Sequence, residues 1–216
     1  MKGTSVKGIL SSAVKVAGSL GVVGGALAFA AAPAGAAPTP TYAYGLSAFG
    51  VIHIAPVAHV NVGSTPQVSA GVVYPGFVTT GGILDRASSD AAYSQVGSPK
   101  VYFPTQPVDQ LNASQLSSSC RSGTILGTFG TTTIEAGSII APSVPGFSPI
   151  PLPRDPAPNT VLTNPQLTGT GVSVTLNKQV TTAGVLTVTG IYITAGTQTL
   201  SLAVSTCGIT VGGPRR

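Results

Sequence analysis

In the last third of the chain, oily and hydroxyl-bearing side chains alternate residue by residue, a rhythm that selects extended backbone over helix. Val172, Val174 and Leu176 alternate with Ser173, Thr175 and Asn177. Leu200, Leu202 and Val204 alternate with Ser201, Ala203 and Ser205, and residues 185–194 between them are continuously β-prone. A period of two places the apolar set on one face of a strand. Thr181-Thr182-Ala183-Gly184 and Ala195-Gly196-Thr197 are short enough for hairpin connections. The pattern predicts a three-stranded meander packed on a second sheet made by earlier strands. The expected fold is all-β: an antiparallel β-sandwich or related Greek-key-like domain.

The preceding residues supply that second sheet. Residues 42–54 read as strand, with Gly45 and Gly50 as bulge or twist points. Pro56 interrupts, residues 57–62 resume, and residues 68–74 form another candidate. The alanine spacing of residues 83–96 also allows a short helix, but the β-like neighbours favour strand. Pro99, Pro104 and Pro107 break the region around Val101-Tyr102-Phe103 into extended pieces. Residues 111–120 are left open, and residues 124–135 have strand composition with glycine interruptions. Residues 141–165 carry eight prolines, which deny the backbone ladder donors, so a partly polyproline-like excursion over a surface is expected.

The first thirty-six residues read as an export signal. Lys2, Lys7 and Lys15 precede an apolar and glycine stretch over residues 16–29, and Ala34-Gly35-Ala36 offers small residues at a cleavage site. Fourteen residues are few for a bilayer span, which needs roughly 20. The mature chain is expected to begin at Ala37 and to form a single extracellular β-rich domain over residues 37–216. No stable membrane span is expected after cleavage. The three leader lysines account for much of the basic pI of about 9.5. Without them seven positive and five negative side chains remain, widely scattered, and no nucleic-acid footprint is read.

Cys120 and Cys207 are the only cysteines. In an oxidising compartment an isolated pair is read as one disulfide. A reactive thiol would need a histidine partner, and none is near in sequence.

Several short elements together resemble a known family. They are Ala43-Tyr44-Gly45-Leu46-Ser47-Ala48-Phe49-Gly50-Val51, then Ser118-Ser119-Cys120 before a Gly/Thr-rich strand, then Pro158-Asn159-Thr160. Val174-Thr175-Leu176-Asn177-Lys178-Gln179 and Leu186-Thr187-Val188-Thr189-Gly190-Ile191-Tyr192-Ile193 follow, with Cys207 in a final strand. In that order they resemble the choice-of-anchor P domain of actinobacterial exported proteins. The resemblance implies export and surface or extracellular residence, and it brings no catalytic or ligand residues. Members end in a surface anchor. Here Leu152-Pro153-Arg154-Asp155 lacks the Thr-Gly pair of a sortase signal, and Gly212-Gly213-Pro214-Arg215-Arg216 carries no anchor. Release, or non-covalent retention at the wall, is therefore expected.

Candidate sites are few. His53 and His59 are the only histidines, and a metal site would need three or four converging ligands. No metal or cofactor is expected. No Gly-x-Ser-x-Gly elbow occurs. Asp85 and Asp90 would have to face each other to act as a glycosidase pair, and Asp85-Arg86 reads more simply as a solvated turn or salt-bridge element. Tyr42 and Tyr44 share a strand face if the strand is regular, and are the candidate ligand-binding residues, with sheet packing as the competing reading. Asn112-Ala113-Ser114 matches a glycan acceptor pattern. The sequence therefore points to a non-catalytic secreted or cell-wall-associated β-domain with a structural or adhesive role. The alternatives are a binding module for cell-wall polysaccharide and, behind it, a secreted hydrolase. Expected partners are wall polysaccharide or surface proteins.

Overall fold

The computed structural model describes residues 40–103, 106–123, 127–143, 145–163 and 171–208. The expected signal peptide, residues 1–36, and its cut after Ala36 lie outside them. In chain order the strands are β1 (Tyr42–Phe49), β2 (Ile54–Val57), β3 (Val60–Asn61), β4 (Gln67–Ser69), β5 (Val73–Tyr74) and β6 (Val78–Thr79). Next come β7 (Ile83–Ala87), β8 (Ala91–Gly97), β9 (Lys100–Phe103), β10 (Gln106–Asn112), β11 (Gln115–Gly123) and β12 (Gly127–Glu135). The last are β13 (Ser138–Ile140), β14 (Ile150–Pro151), β15 (Thr160–Val161), β16 (Val172–Thr182), β17 (Val185–Ala195) and β18 (Gln198–Gly208). All pairings are antiparallel.

The front sheet has the order β15-β16-β17-β18-β1-β2, with β3 beside the start of β1. The predicted C-terminal meander is its centre. Ala183 and Gly184, at φ 50° and 78°, make the two-residue turn between β16 and β17. Two left-handed residues in succession match the twist of the strands they join.

Behind it lie two smaller ladders, β12-β11-β8-β7-β4 and β14-β13-β10-β9-β6-β5. They are the lower and upper halves of one bent sheet. β4 runs on into β5, β6 into β7, β8 into β9, β10 into β11 and β12 into β13. Backbone bonds stitch the bend: Gly97 N–H to Gly82 O at 2.8 Å, Ser98 N–H to Ser114 O at 2.8 Å, and Ser114 N–H to Glu135 O at 2.9 Å. Ser98 and Ala136 adopt left-handed φ of 42° and 48° at this waist. The expected strand over 83–96 is thus a hairpin, β7 and β8, and no helix forms there. The long strands follow chain order across the back, cross to β15, and close where β18 pairs with β1. The sandwich is therefore formed by a meander, without a Greek-key crossover among the described strands.

The proline-rich segment travels along one edge of both sheets. β14 pairs with β13, Arg154 O accepts from Ile134 N–H, and β15 pairs with β16. Residue 144 and residues 164–170 are outside the described set.

The front sheet changes faces half-way along. In β18, Leu200 and Leu202 point into the core, but beyond Ala203 the inward residues are Ser205 and Cys207. Val204 therefore turns away from both apolar clusters and lies buried between Tyr44 and Thr189, contrary to the simple alternation read from the sequence. The cause is Ala203, whose φ of 51° turns the strand over. Its neighbours change at the same level: Asn177 in β16 at φ 48°, Gly190 in β17 and Gly45 in β1. A Cβ on Gly45 would overlap Ile83, so the close approach of β1 to β7 requires glycine.

Facing this crease, the back sheet presents a row of polar side chains. Asp85, Ser94, Ser118 and Thr132 are successive cross-strand partners, and all are buried. Ser94 Oγ donates to Tyr44 O at 3.0 Å, Ser118 Oγ to Ser205 Oγ at 3.1 Å, and Thr132 Oγ1 to Asn177 Oδ1 at 3.2 Å. Asn177 Nδ2 donates to Pro156 O at 2.8 Å, tying the edge crossing to the same row. The belt separates two apolar clusters. The larger holds Leu46, Ile83, Leu111, Leu116, Ile139, Leu176, Ile191 and Leu202. The smaller holds Ala43, Val60, Ala92, Leu186, Val188 and the linked cysteines Cys120 and Cys207, whose Cα atoms are 6.0 Å apart.

Candidate functional site

Because β1 turns over at Gly45, Ala43 and Leu46 both reach the core while Tyr42 and Tyr44 stand side by side outside. Their rings are nearly parallel, 9° apart, with centroids separated by 6.2 Å. His59, from the turn between β2 and β3, leans on both at 5.6 and 6.4 Å. Both tyrosines are half-buried. Burial pushes the Tyr44 phenol above its ordinary 10.0; a hydrogen bond with Ser47 opposes the shift, and the neighbouring Tyr42 adds to it.

The aromatic cluster sits at the margin of a broad outer face rich in hydroxyls. Thr175 and Ser201 flank Tyr192 across the strands, Thr194 lies opposite Thr199, and Thr187 lies opposite the buried Thr206 on β16, β17 and β18. Thr187 and Thr206 share a hydroxyl hydrogen bond at 3.1 Å. Lys178 lays its ammonium 3.2 Å from the centroid of Tyr192, a geometry that favours cation–π attraction. Sheet geometry thus supplies a surface of flat rings and hydroxyls, suited to ligands that offer both C–H faces and hydroxyl groups.

The residues considered for catalysis do not assemble. Asp85 is no solvated turn: it is fully buried in the polar belt, with neither carboxyl oxygen hydrogen-bonded. Desolvation pushes it from 3.8 up to about 7, and Ser94 and Gly45 oppose the shift only in part. The Ser94 hydroxyl spends its proton on Tyr44 O. Asp90 lies in the exposed β7–β8 turn, bonded by Ser88 Oγ at 3.0 Å, and does not face Asp85. Asp109 is buried and accepts from both the N–H and the hydroxyl of Ser143. Glu135 pairs with Arg154 at 2.7 Å, and Asp155 accepts from Thr133 Oγ1 at 3.1 Å. His53 packs edge-on against Phe49, at the far end of β1 from His59. Among the described residues no group of three or more His, Cys, Asp or Glu converges. Asn112 of the glycan-acceptor pattern is half-buried and takes a hydrogen bond from Ser138 Oγ at 3.1 Å.

The molecule is thus an all-β sandwich with one internal disulfide and a paired-tyrosine outer surface. No protein-family model, curated protein or solved structure matches the chain. The aromatic pair was readable from the Tyr-x-Tyr spacing. The contribution of His59 was not, because Pro56 hides how β2 and β3 turn back beside β1.

Proposed function

We propose that this protein is a non-catalytic secreted or cell-wall-associated β-domain that acts by contact, and that its contact surface is the outer face around Tyr42, Tyr44 and His59. The observation that carries the reading is the parallel tyrosine pair. A strand that turns over to put two aromatic rings outside, beside buried Ala43, forgoes their burial in the core. Membership of the choice-of-anchor P family is proposed on the sequence elements alone.

The same pair favours a second reading, a binding module for wall polysaccharide, since stacked phenols match the apolar face of a sugar ring. Sedimentation with purified cell wall separates the two. Under the polysaccharide reading, binding saturates and falls at least ~10-fold in Tyr42→Ala/Tyr44→Ala, the loss expected from two aromatic contacts at about 1 kcal/mol each. Wall binding that survives the double substitution removes the tyrosine face from both readings.

A further inference from the structure

We propose that the Ser94 hydroxyl is a toggle between Tyr44 O and Asp85, so that ionisation of the buried carboxyl resets strand β1 beneath the tyrosine pair. The inference builds on the contact surface proposed above and adds its regulation: the face presents its rings differently in acid and in alkali.

Three groups in line carry it. Asp85 and Ser94 are cross-strand partners on β7 and β8. Such partners hold their Cβ atoms about 4.5–5.5 Å apart, close enough for a hydroxyl to reach a carboxyl. Both side chains are wholly buried. Ser94 Oγ gives its proton to Tyr44 O at 3.0 Å, and both Asp85 oxygens are left without a hydrogen bond. Across the core stands Gly45, the residue at which β1 turns over between Tyr44 outside and Leu46 inside.

This arrangement suits a neutral carboxyl. A carboxylate in the same place is an acceptor without a donor, and a buried charge demands a partner. The donors that favour its charged form are the Ser94 hydroxyl and the Gly45 backbone. A hydrogen bond to a charged acceptor is roughly twice as strong as one between neutral groups. Ser94 has a single proton to give, so it leaves Tyr44 O for the carboxylate. Both donors act on the same point of β1: Ser94 releases the carbonyl of Tyr44, and Gly45 is the next residue in the chain.

Among the described residues no other charge faces Asp85. Arg86 is exposed and lies opposite Tyr93, on the other side of the sheet. Tyr93 gives its hydroxyl proton to Gln95 Oε1 at 2.7 Å. The other strands packed on β7 are β1, β3 and β4. β3 and β4 carry no titratable side chain, and Tyr42, Tyr44 and the neighbouring His59 stand outside. Desolvation therefore dominates the titration of the carboxyl, raising it to about 7, with the neutral form below and the charged form above.

The test follows the ring signals of Tyr42 and Tyr44, assigned through Tyr42→Phe and Tyr44→Phe, together with the Asp85 carboxyl signal, by NMR from about pH 5 to about pH 9. The expected result is one step, with rings and carboxyl moving together at a midpoint near 7. Asp85→Asn holds the rings at their acid positions across the range. Ser94→Ala leaves the carboxyl titrating and abolishes the step at Tyr44. His59→Gln, which removes the imidazole that leans on both rings, keeps the step. Four results overturn the proposal: rings that still step in Asp85→Asn, a step that persists in Ser94→Ala, a step that disappears in His59→Gln, or a carboxyl that titrates while the wild-type rings stay still. The readout is the rings themselves, so wall binding that fails in a protein whose rings still step removes the contact reading and keeps the toggle.

Discussion

Among the described residues, a single carboxyl carries the largest pH sensitivity. Asp85 has its folded pKa raised from 3.8 to about 7, so between these values the folded state holds a proton that the unfolded chain gives up. Its contribution is therefore most favourable below about pH 4 and is lost as pH rises towards 7, by up to roughly 4 kcal/mol. Urea unfolding at pH 4.5 and pH 8 should show the wild type losing stability across that interval. Asp85→Asn, which cannot ionise, should flatten the profile and be the more stable at pH 8. Gly45 sets the opposite kind of constraint. Gly45→Ala forces a Cβ into Ile83 and should cost about 1–3 kcal/mol in the same assay. Neither residue was legible. Asp85-Arg86 looks like surface, because a sequence does not reveal that the next strand places Ser94 opposite and β1 across the core. Gly45 reads as a twist point, but its neighbour Ile83 is distant in the chain.

At the scale of elements, the sequence was most reliable where one strand simply continued. The expected residues 171–179 and 185–194 became β16 and β17 with only small changes at their ends. It misled where backbone conformation, not composition, decides the face. Alternation through Leu202 and Val204 is unbroken in sequence, yet the left-handed Ala203 turns the buried Val204 away from the core clusters and Ser205 towards them. The polar belt is the result. Its hydroxyls look like solvent-facing strand positions until the two sheets meet and each finds a partner. Asn177→Ala leaves Pro156 O and Thr132 Oγ1 without that partner and should cost about 1–3 kcal/mol, read as a lower urea midpoint with unchanged slope. Below the belt, the Cys120–Cys207 link closes a separation of 87 residues. In the chain-entropy model its loss in Cys120→Ser/Cys207→Ser costs on the order of 4–5 kcal/mol, to be measured beside the oxidised parent.

For the whole molecule, composition was enough to select β over helix but not to show how the sheets connect. The bend of the back sheet depends on Ser98 and Ala136, ordinary residues in left-handed conformations that no local signal marks. The order of strands also has a kinetic side. Tyr42 lies opposite Thr206, so the first long strand waits for the last. A circular permutant that joins residue 41 to residue 208 through a short linker, and opens at Ser89 in the exposed β7–β8 turn, turns that most remote pairing into a local hairpin. It should refold faster in stopped-flow experiments while keeping most of the parent's stability, marking the native seam as the slow stitch of a garment sewn around its own wearer.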